Sequence, residues 1–500
     1  MYTAVVFLSS AGALILEIAA GRLIAPYVGM SLYTWTAIIA VVLAGLSVGH
    51  WVGGRLADRG DDTSHGNRHM VTALGAAAVL TLLSLPLLRV IADPLLRASG
   101  DSVFSVVALT SGLFFLPSLS VGIVSPIATK LAIDANPHRQ GKVLGRMFAA
   151  GASGSIIGTL AAGYIFISWI GTTGTVTAVA GLYVVLALSL LPTARIGKLL
   201  TLGLTLSGAA SGTWTMALDA HDTPCDIESD YFCIRIDDYV DQLDRESRLM
   251  ALDHLVHSIN DRIDPTLLYS PYVQLVDEVV RGRFGDAGPA SAYFVGGGGF
   301  TLPRAWNAAF PTARMIVAEI DPAVTTAAKR HLWLAPSDRL DILTRDARVG
   351  LRLLPDNQRF DVIFGDAFHD IAVPAHLVTR EFNALVASRL NPGGLYAINI
   401  VDRARDPQFL YAMIRTMETA FTIVEVWLST DTSIDDDRVT FIVFGADEPT
   451  PLTRLSSKHG LERSWVRWPV NDLAQRIATS NPPILTDSFA PVERLLTATD

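Results

Sequence analysis

SAYFVGGGGFTLPRAWNAAFPTARMIVAEID, residues 291–321, decides the fold of the second half of the chain. Two short runs rich in β-formers, SAYFV and RMIVAEID, flank a stretch long enough for a helix. A glycine run closes the first of them and an acidic residue the second. Working outward, the same alternation continues through LDILTRDA (340–347), FDVIFGDA (360–367) and GGLYAINIVD (393–402). Two further runs, FTIVEVWL (421–428) and VTFIVFGA (439–446), follow in the manner of a hairpin. Strands that alternate with helices predict a parallel α/β sheet, here doubly wound, with five parallel strands and a terminal hairpin. Ligands of such sheets sit at the carboxyl ends of the strands, where loops from adjacent strands diverge.

Those ends carry candidate chemistry. The first holds Gly296, Gly297, Gly298 and Gly299, and glycines let a backbone approach a ligand closely and take positive φ. The second ends in Glu319, placed where a carboxylate accepts hydrogen bonds from two ribose hydroxyls. Asp346 and Asp366 end the third and fourth.

The first half obeys another solvent. Residues 1–218 hold 12 basic and 7 acidic side chains, whereas residues 219–500 hold 27 and 41, a net charge of −14. The sparse charge of the first half predicts a membrane domain. The acidity of the second excludes a nucleic-acid groove, which needs clustered cations. Seven apolar stretches of bilayer-crossing length run about 3–25, 34–57, 70–92, 103–133, 143–170, 173–191 and 199–218. Gly45, Gly49 and Gly53, and again Gly154 and Gly158, recur at a spacing of four, the mark of closely packed helix faces. Glu17 and Arg22 read as an internal ion pair, with Arg22 near enough to the helix end to snorkel, and His50 as interfacial.

The predicted location is a multi-pass inner (plasma) membrane. With Arg55, Arg59, Arg68, Lys130, Arg139, Lys142, Arg146, Arg195 and Lys198 in cytoplasmic loops, nine cations face three outside (Arg22, Arg89, Arg97). Seven spans then leave the second half outside. The seventh, LLTLGLTLSGAASGTWTMAL, is rich in Thr, Ser and Gly, and without it the second half is cytoplasmic. Cys225 and Cys233, the two cysteines of the chain, are either one local disulfide or two thiols.

The motifs VGGGG, AEID, RDA, FDVIFGDA and REFNALVASRLNPGG, in this order, resemble the spermidine synthase (polyamine aminopropyltransferase) family. ESDYFCIRI and LDHLVHSIND resemble the family's β-rich N-terminal segment, and EIAAGRLIAPYVG and GGRLADR resemble its membrane-fused members. The resemblance implies a Rossmann-like (methyltransferase-type) domain at 291–500. It follows a β-rich and helical lead-in at 219–290 and a helical membrane domain of about seven spans at 1–218. It also implies that Gly296, Gly297, Gly298, Glu319, Ile320, Asp346, Ala347 and His257 hold the nucleoside. Glu319 would take the ribose, Asp346 the adenine amine, and Asp366 would act on the acceptor amine. His369, Gly299 and Tyr269 would line the substrate side. The substrate is S-adenosylmethionine or its decarboxylated form, the released product methylthioadenosine, and no metal is required. The implied partners are this small nucleoside, a small amine and the lipid bilayer, with a homodimer left open.

Departures qualify the resemblance. The family's GGGDG reads GGGGF, so its aspartate is Gly299 and its next glycine Phe300. Its DSTDP reads DAFHD, placing His369 at the second aspartate, and its LDGxxQ glutamine is His257. Fewer carboxylates weaken the hold on a polyamine, and Gly299 spares the carboxylate of intact S-adenosylmethionine from repulsion. Aminopropyl transfer therefore stands beside three alternatives: an S-adenosylmethionine lyase or cyclase, a methyltransferase, and a transporter with a nucleoside-sensing domain.

Overall fold

The computed structural model describes residues 1–59, 63–99, 103–191, 223–240, 245–368, 372–433 and 437–497, in two compact units, Met1–Cys233 and Ile234–Asp500. The seventh expected span, 199–218, lies outside the described residues.

The first unit is built from helices α1 (Tyr2–Val28), α2 (Leu32–Asp58), α3 (Thr63–Ser99), α4 (Val103–Gly122), α5 (Val124–Asp134), α6 (Gln140–Ala161) and α7 (Ile167–Ser189). Among the described residues, five helical stretches are long and apolar enough to cross a membrane, and the last, Pro137–Ser189, contains both α6 and α7. Gly171, at φ +70°, interrupts the helix there. Large apolar side chains face outward, with Phe104, Phe148 and Trp169 69–82% exposed.

The glycine rows pack helices together. A side chain at Gly45 would lie 2.7 Å from the Phe115 carbonyl oxygen, and side chains at Gly49 and Gly53 would collide with the carbonyls of Leu119 and Ile123. The row at Gly154 and Gly158 abuts Phe7 and Ala11 of α1 in the same way.

The expected pairing of Glu17 with Arg22 does not form. Five residues apart on a helix is about 140° around the axis, so the two point away from each other. Arg22 instead donates to the carbonyls of Ser229 and Tyr231, both at 2.6 Å. The segment it holds is closed by a Cys225–Cys233 disulfide and contains the short strand β1 (Ile227–Glu228). Glu228 accepts from the Thr172 N–H at 3.0 Å and from its hydroxyl, capping the helical turn freed by Gly171. Ser168 donates to Asp230 at 2.7 Å. His50 is exposed on α2.

The second unit begins with an antiparallel run, β2 (Cys233–Tyr239), β3 (Ser247–Leu252) and β4 (Leu255–Asp261). The helix Pro271–Phe284 leads into the main sheet. This comprises β5 (Ser291–Val295), β6 (Arg314–Glu319), β7 (Leu340–Thr344), β8 (Phe360–Gly365), β9 (Leu390–Asp402), β10 (Ile423–Ser429), β11 (Val439–Ala446), β12 (Arg454–Ser456) and β13 (Ser464–Arg467). Their spatial order is β12-β13-β10-β11-β9-β8-β5-β6-β7. Strands β5 to β9 are parallel and β11 runs antiparallel to β9, so the doubly wound sheet and its hairpin are as expected. The short pair β12 and β13 extends the β10 edge beyond the sequence reading.

Central strands are buried on both faces. Four of the five residues of β5 are buried, because helices cover a parallel sheet on either side. The helices after β6 and β7 start on side-chain caps, with Asp321 accepting from Ala323 N–H at 2.8 Å and Asp346 from Val349 N–H at 2.9 Å. These caps fix where the strand-end loops turn. The order reverses between β5 and β8, so a crevice opens where their loops part.

Candidate active site

The loop after β5 is shaped by its glycines and by one buried carboxylate. Gly296 (φ +94°) and Gly298 (φ +49°) take left-handed conformations, and a side chain at Gly296 would sit 2.7 Å from the Asp366 carbonyl oxygen. Glu319, 6% exposed, accepts from Gly297 N–H at 2.8 Å and Gly298 N–H at 3.3 Å through one oxygen, and from Asp321 N–H at 2.9 Å through the other. Burial pushes this carboxyl upward, and the three N–H donors pull it back. The oxygen that accepts only from Asp321 keeps a lone pair free of the backbone, so the group that ties the loop down can also accept from a ligand hydroxyl. Ile320, just past the strand end, is 39% exposed and offers an apolar surface.

Asp346 follows Arg345, whose N–H donates to the Glu319 carbonyl at 3.2 Å. Its carboxylate caps the helix Ala347–Leu353 and meets His376 Nε2 at 2.7 Å. Ala347 is buried and its carbonyl accepts from Tyr293 at 2.8 Å. His376 was not read from the sequence, and a lone histidine in a polar turn gives no signal there.

Asp366 stands on the other side of the glycine loop, its N–H donating to the Val295 carbonyl at 2.9 Å. Asn399 of β9 donates to its Oδ1 at 2.8 Å and the Tyr272 hydroxyl to its Oδ2 at 3.2 Å. Burial pushes the Asp366 carboxyl up to about 6, against the two donors that stabilise its charge. Burial and the Asp366 charge also push the Tyr272 phenol upward, which keeps it a donor. The Asn399 Oδ1 is buried without a partner. A carboxylate poised near neutrality, fixed from two sides beside a strand-end crevice, can take a proton or orient an amine lone pair.

Tyr269 has its hydroxyl 2.7 Å from Ser247 Oγ and its ring edge-on to Tyr239. The residue that reaches Asp366 is Tyr272, one helical turn further on, in the first turn of Pro271–Phe284.

His257 is the extra residue of a β-bulge in β4, where Met250 pairs with Ser258 and Ala251 with Val256. Bulges re-aim side chains beside functional sites. Burial and His254 push its imidazole down to about 4, so it is neutral near pH 7. It then offers one donor and one acceptor, as a glutamine amide would.

Gly299 proves to be a packing residue. A side chain there would collide with Ser258 Oγ of β4 and come 3.0 Å from Leu332. Its carbonyl accepts from Asn260 at 2.9 Å. Phe300, at φ +55° and fully buried, tucks its ring against Gly297, 2.8 Å from where a Cβ would stand. The left-handed turn that a glycine would adopt freely is thus imposed on a phenylalanine. His369 lies outside the described residues. Among the described residues, no cluster of metal-ligating side chains is present.

No family model matches the chain. In sequence it is similar to a polyamine aminopropyltransferase of Vibrio vulnificus (strain CMCP6), 32% identical over 133 residues, which are 26% of this chain and 44% of the relative. It is also similar to a probable polyamine aminopropyl transferase of Bifidobacterium longum (strain NCC 2705), 28% identical over 249 residues, 45% of this chain and 54% of the relative. The chain thus spans about half the length of these curated relatives. Among solved structures it is similar to a probable spermidine synthase from Corynebacterium glutamicum ATCC 13032, at 20% identity and a TM-score of 0.46, covering 54% of this chain and 99% of that one.

Proposed function

We propose that this relative of the polyamine aminopropyltransferases is a membrane-anchored enzyme that transfers an alkyl group from a sulfonium nucleoside to an amine. The donor is S-adenosylmethionine or its decarboxylated form. The observation that carries the reading is Asp366, held between Tyr272 and Asn399 against the glycine loop that Glu319 organises. Glu319 would receive the ribose, with the backbone of Gly296, Gly297 and Gly298 against the nucleoside tail. Ile320 and Ala347 would flank the base, with Asp346 at its amine.

The acceptor amine attacks the carbon bound to sulfonium. A C–N bond forms, the C–S pair returns to sulfur, and neutral methylthioadenosine leaves. The amine must first lose a proton, and Asp366 is placed to accept it or to orient the lone pair. The five apolar helical stretches support anchoring in a bilayer.

Gly299 does not favour the lyase alternative, because its identity has a packing cause in Ser258. The test is incubation of the detergent-purified full chain with each sulfonium donor, with and without a diamine, and product identification by mass spectrometry. Methylthioadenosine that depends on the diamine supports the proposal. Methylthioadenosine without an acceptor indicates a lyase, S-adenosylhomocysteine a methyltransferase, and binding without any product a sensor.

A further inference from the structure

The side of the membrane on which the second unit works can be read from the first unit alone. At one face of the helical bundle, Tyr2 at the start of α1 donates to Asn67 near the start of α3 at 3.2 Å. Thr3 lies 3.6 Å from the sulfur of Met147 near the start of α6, and a side chain at Gly66 of α3 would meet Leu131 of α5 at 2.9 Å. At the opposite face, the far end of α1 holds the 225–233 segment through Arg22, and the start of α7 holds it through Ser168 and Thr172. One pass of α1, about 30 Å over some 20 residues, separates the two faces. The chain therefore leaves the bundle at the face opposite its first residue, whatever path residues 192–222 take.

The two faces differ in charge and in sulfur chemistry. The first carries Arg55, Arg59 and Arg68 around the α2–α3 turn, and Lys130, Arg139, Lys142 and Arg146 around the α5–α6 turn. Such accumulation of Lys and Arg in short loops marks the cytoplasmic side. The second face carries fewer, Arg22, which is held by two backbone carbonyls, and Arg89 and Arg97 toward the end of α3, together with the Cys225–Cys233 disulfide. Disulfides persist in oxidising compartments and are rare in the cytosol. Charge asymmetry and disulfide are independent, and both give the same orientation.

We infer that residues 234–500 lie outside the cytoplasm, with the N-terminus of the chain inside. The inference rests on the membrane reading and not on the reaction. If the nucleoside reading also holds, the active site meets only sulfonium nucleosides outside the cytoplasm, so a step that exports or releases them must come before it.

Both cysteines are in the disulfide, so the unchanged chain has no free thiol and single cysteines can report position. Asn357→Cys marks an exposed turn of the second unit and His138→Cys the exposed cationic face. In intact cells a membrane-impermeant maleimide is expected to label Asn357→Cys and to reach His138→Cys only after permeabilisation. The reverse pattern overturns the inference. As a measurement that needs no substitution, a C-terminal fusion to a phosphatase active only outside the cytoplasm is expected to be active, and a fusion to a fluorescent protein that matures only in the cytosol is expected to be dark. A dark phosphatase with a bright fluorescent fusion overturns it equally. Recovery of the unchanged chain in the soluble fraction would instead overturn the membrane reading beneath it.

Discussion

Glycine serves opposite purposes in the two units. In α2 and α6 it removes side chains at a regular spacing of four, so that one helix rests on the carbonyls of another, and every position in a row has the same cause. In the loop after β5 four consecutive glycines have separate causes. Gly296 needs positive φ and clearance from Asp366, Gly298 needs positive φ with open space around it, Gly297 lies on the Phe300 ring, and Gly299 lies on Ser258. A periodic row reports packing between regular elements, whereas an aperiodic run reports a loop shaped by its surroundings. Chemistry is expected only where the run also places a carboxylate, as Gly296 does with Asp366 and Gly297 with Glu319.

The sharpest test of that contrast removes the carboxylate and leaves the glycines. Asp366→Asn is expected to lower turnover by about a hundredfold or more while nucleoside affinity stays within a few-fold. In the parent, the charged form of Asp366 is populated above its raised value of about 6, so kcat/KM should fall as pH drops through that point. The variant should lose this acidic limb. Full activity with the limb intact would mean that the strand-end crevice works through another group.

Removing Glu319 strikes the loop and the ligand together. Glu319→Ala withdraws the acceptor of Gly297 and Gly298 N–H as well as that proposed for the ribose. Hydrogen bonds to a charged group contribute about 1.5–3 kcal/mol, so titration calorimetry with methylthioadenosine should show affinity weakened roughly ten- to a hundredfold by the same figure. Unchanged affinity would separate the loop from the nucleoside.

How far the sequence could be read follows the same division. The parallel strands, the hairpin, the glycine run and the strand-end positions of Glu319 and Asp366 were legible because each belongs to a local pattern: a β-rich run, a turn and a strand end. The meeting of Tyr272 and Asn399 with Asp366 was not, because they reach it from 94 and 33 residues away, and no local spacing encodes a meeting of a helix start with a neighbouring strand. Arg22 misled for the opposite reason, since Glu17 is near in sequence but faces another way, while its partners lie 207 and 209 residues on. At Gly299 a substitution that looked like lost charge reflects a neighbour, Ser258, that only the fold brings near.

That last case can be isolated. Gly299→Ala is expected to destabilise the second unit by about 1–3 kcal/mol through overpacking, and Gly299→Ala with Ser258→Gly should recover most of it, giving a coupling readable from thermal unfolding of the purified chain. Gly299→Asp in the parent mixes this collision with charge. In the Ser258→Gly background it tests charge more nearly alone, and there a selective loss of intact S-adenosylmethionine as donor would revive the electrostatic reading.

The smallest expected effect comes from two adjacent glycines of α2. A side chain at Gly53 would lie 2.5 Å from the Ile123 carbonyl oxygen and 3.0 Å from its Cα, whereas nothing stands within 4 Å of one at Gly54. Both positions are helical, so alanine gains the same propensity at each, about 0.8–1 kcal/mol over glycine. At Gly54 that gain is unopposed, and Gly54→Ala should leave the thermal midpoint in detergent unchanged or slightly raised. At Gly53 it is opposed by backbone that cannot yield as a flexible side chain would, so Gly53→Ala should lower the midpoint. Equal responses of the two variants would mean that the spacing of four in α2 is not a packing seam, and the contrast between periodic and aperiodic glycines would lose its membrane half.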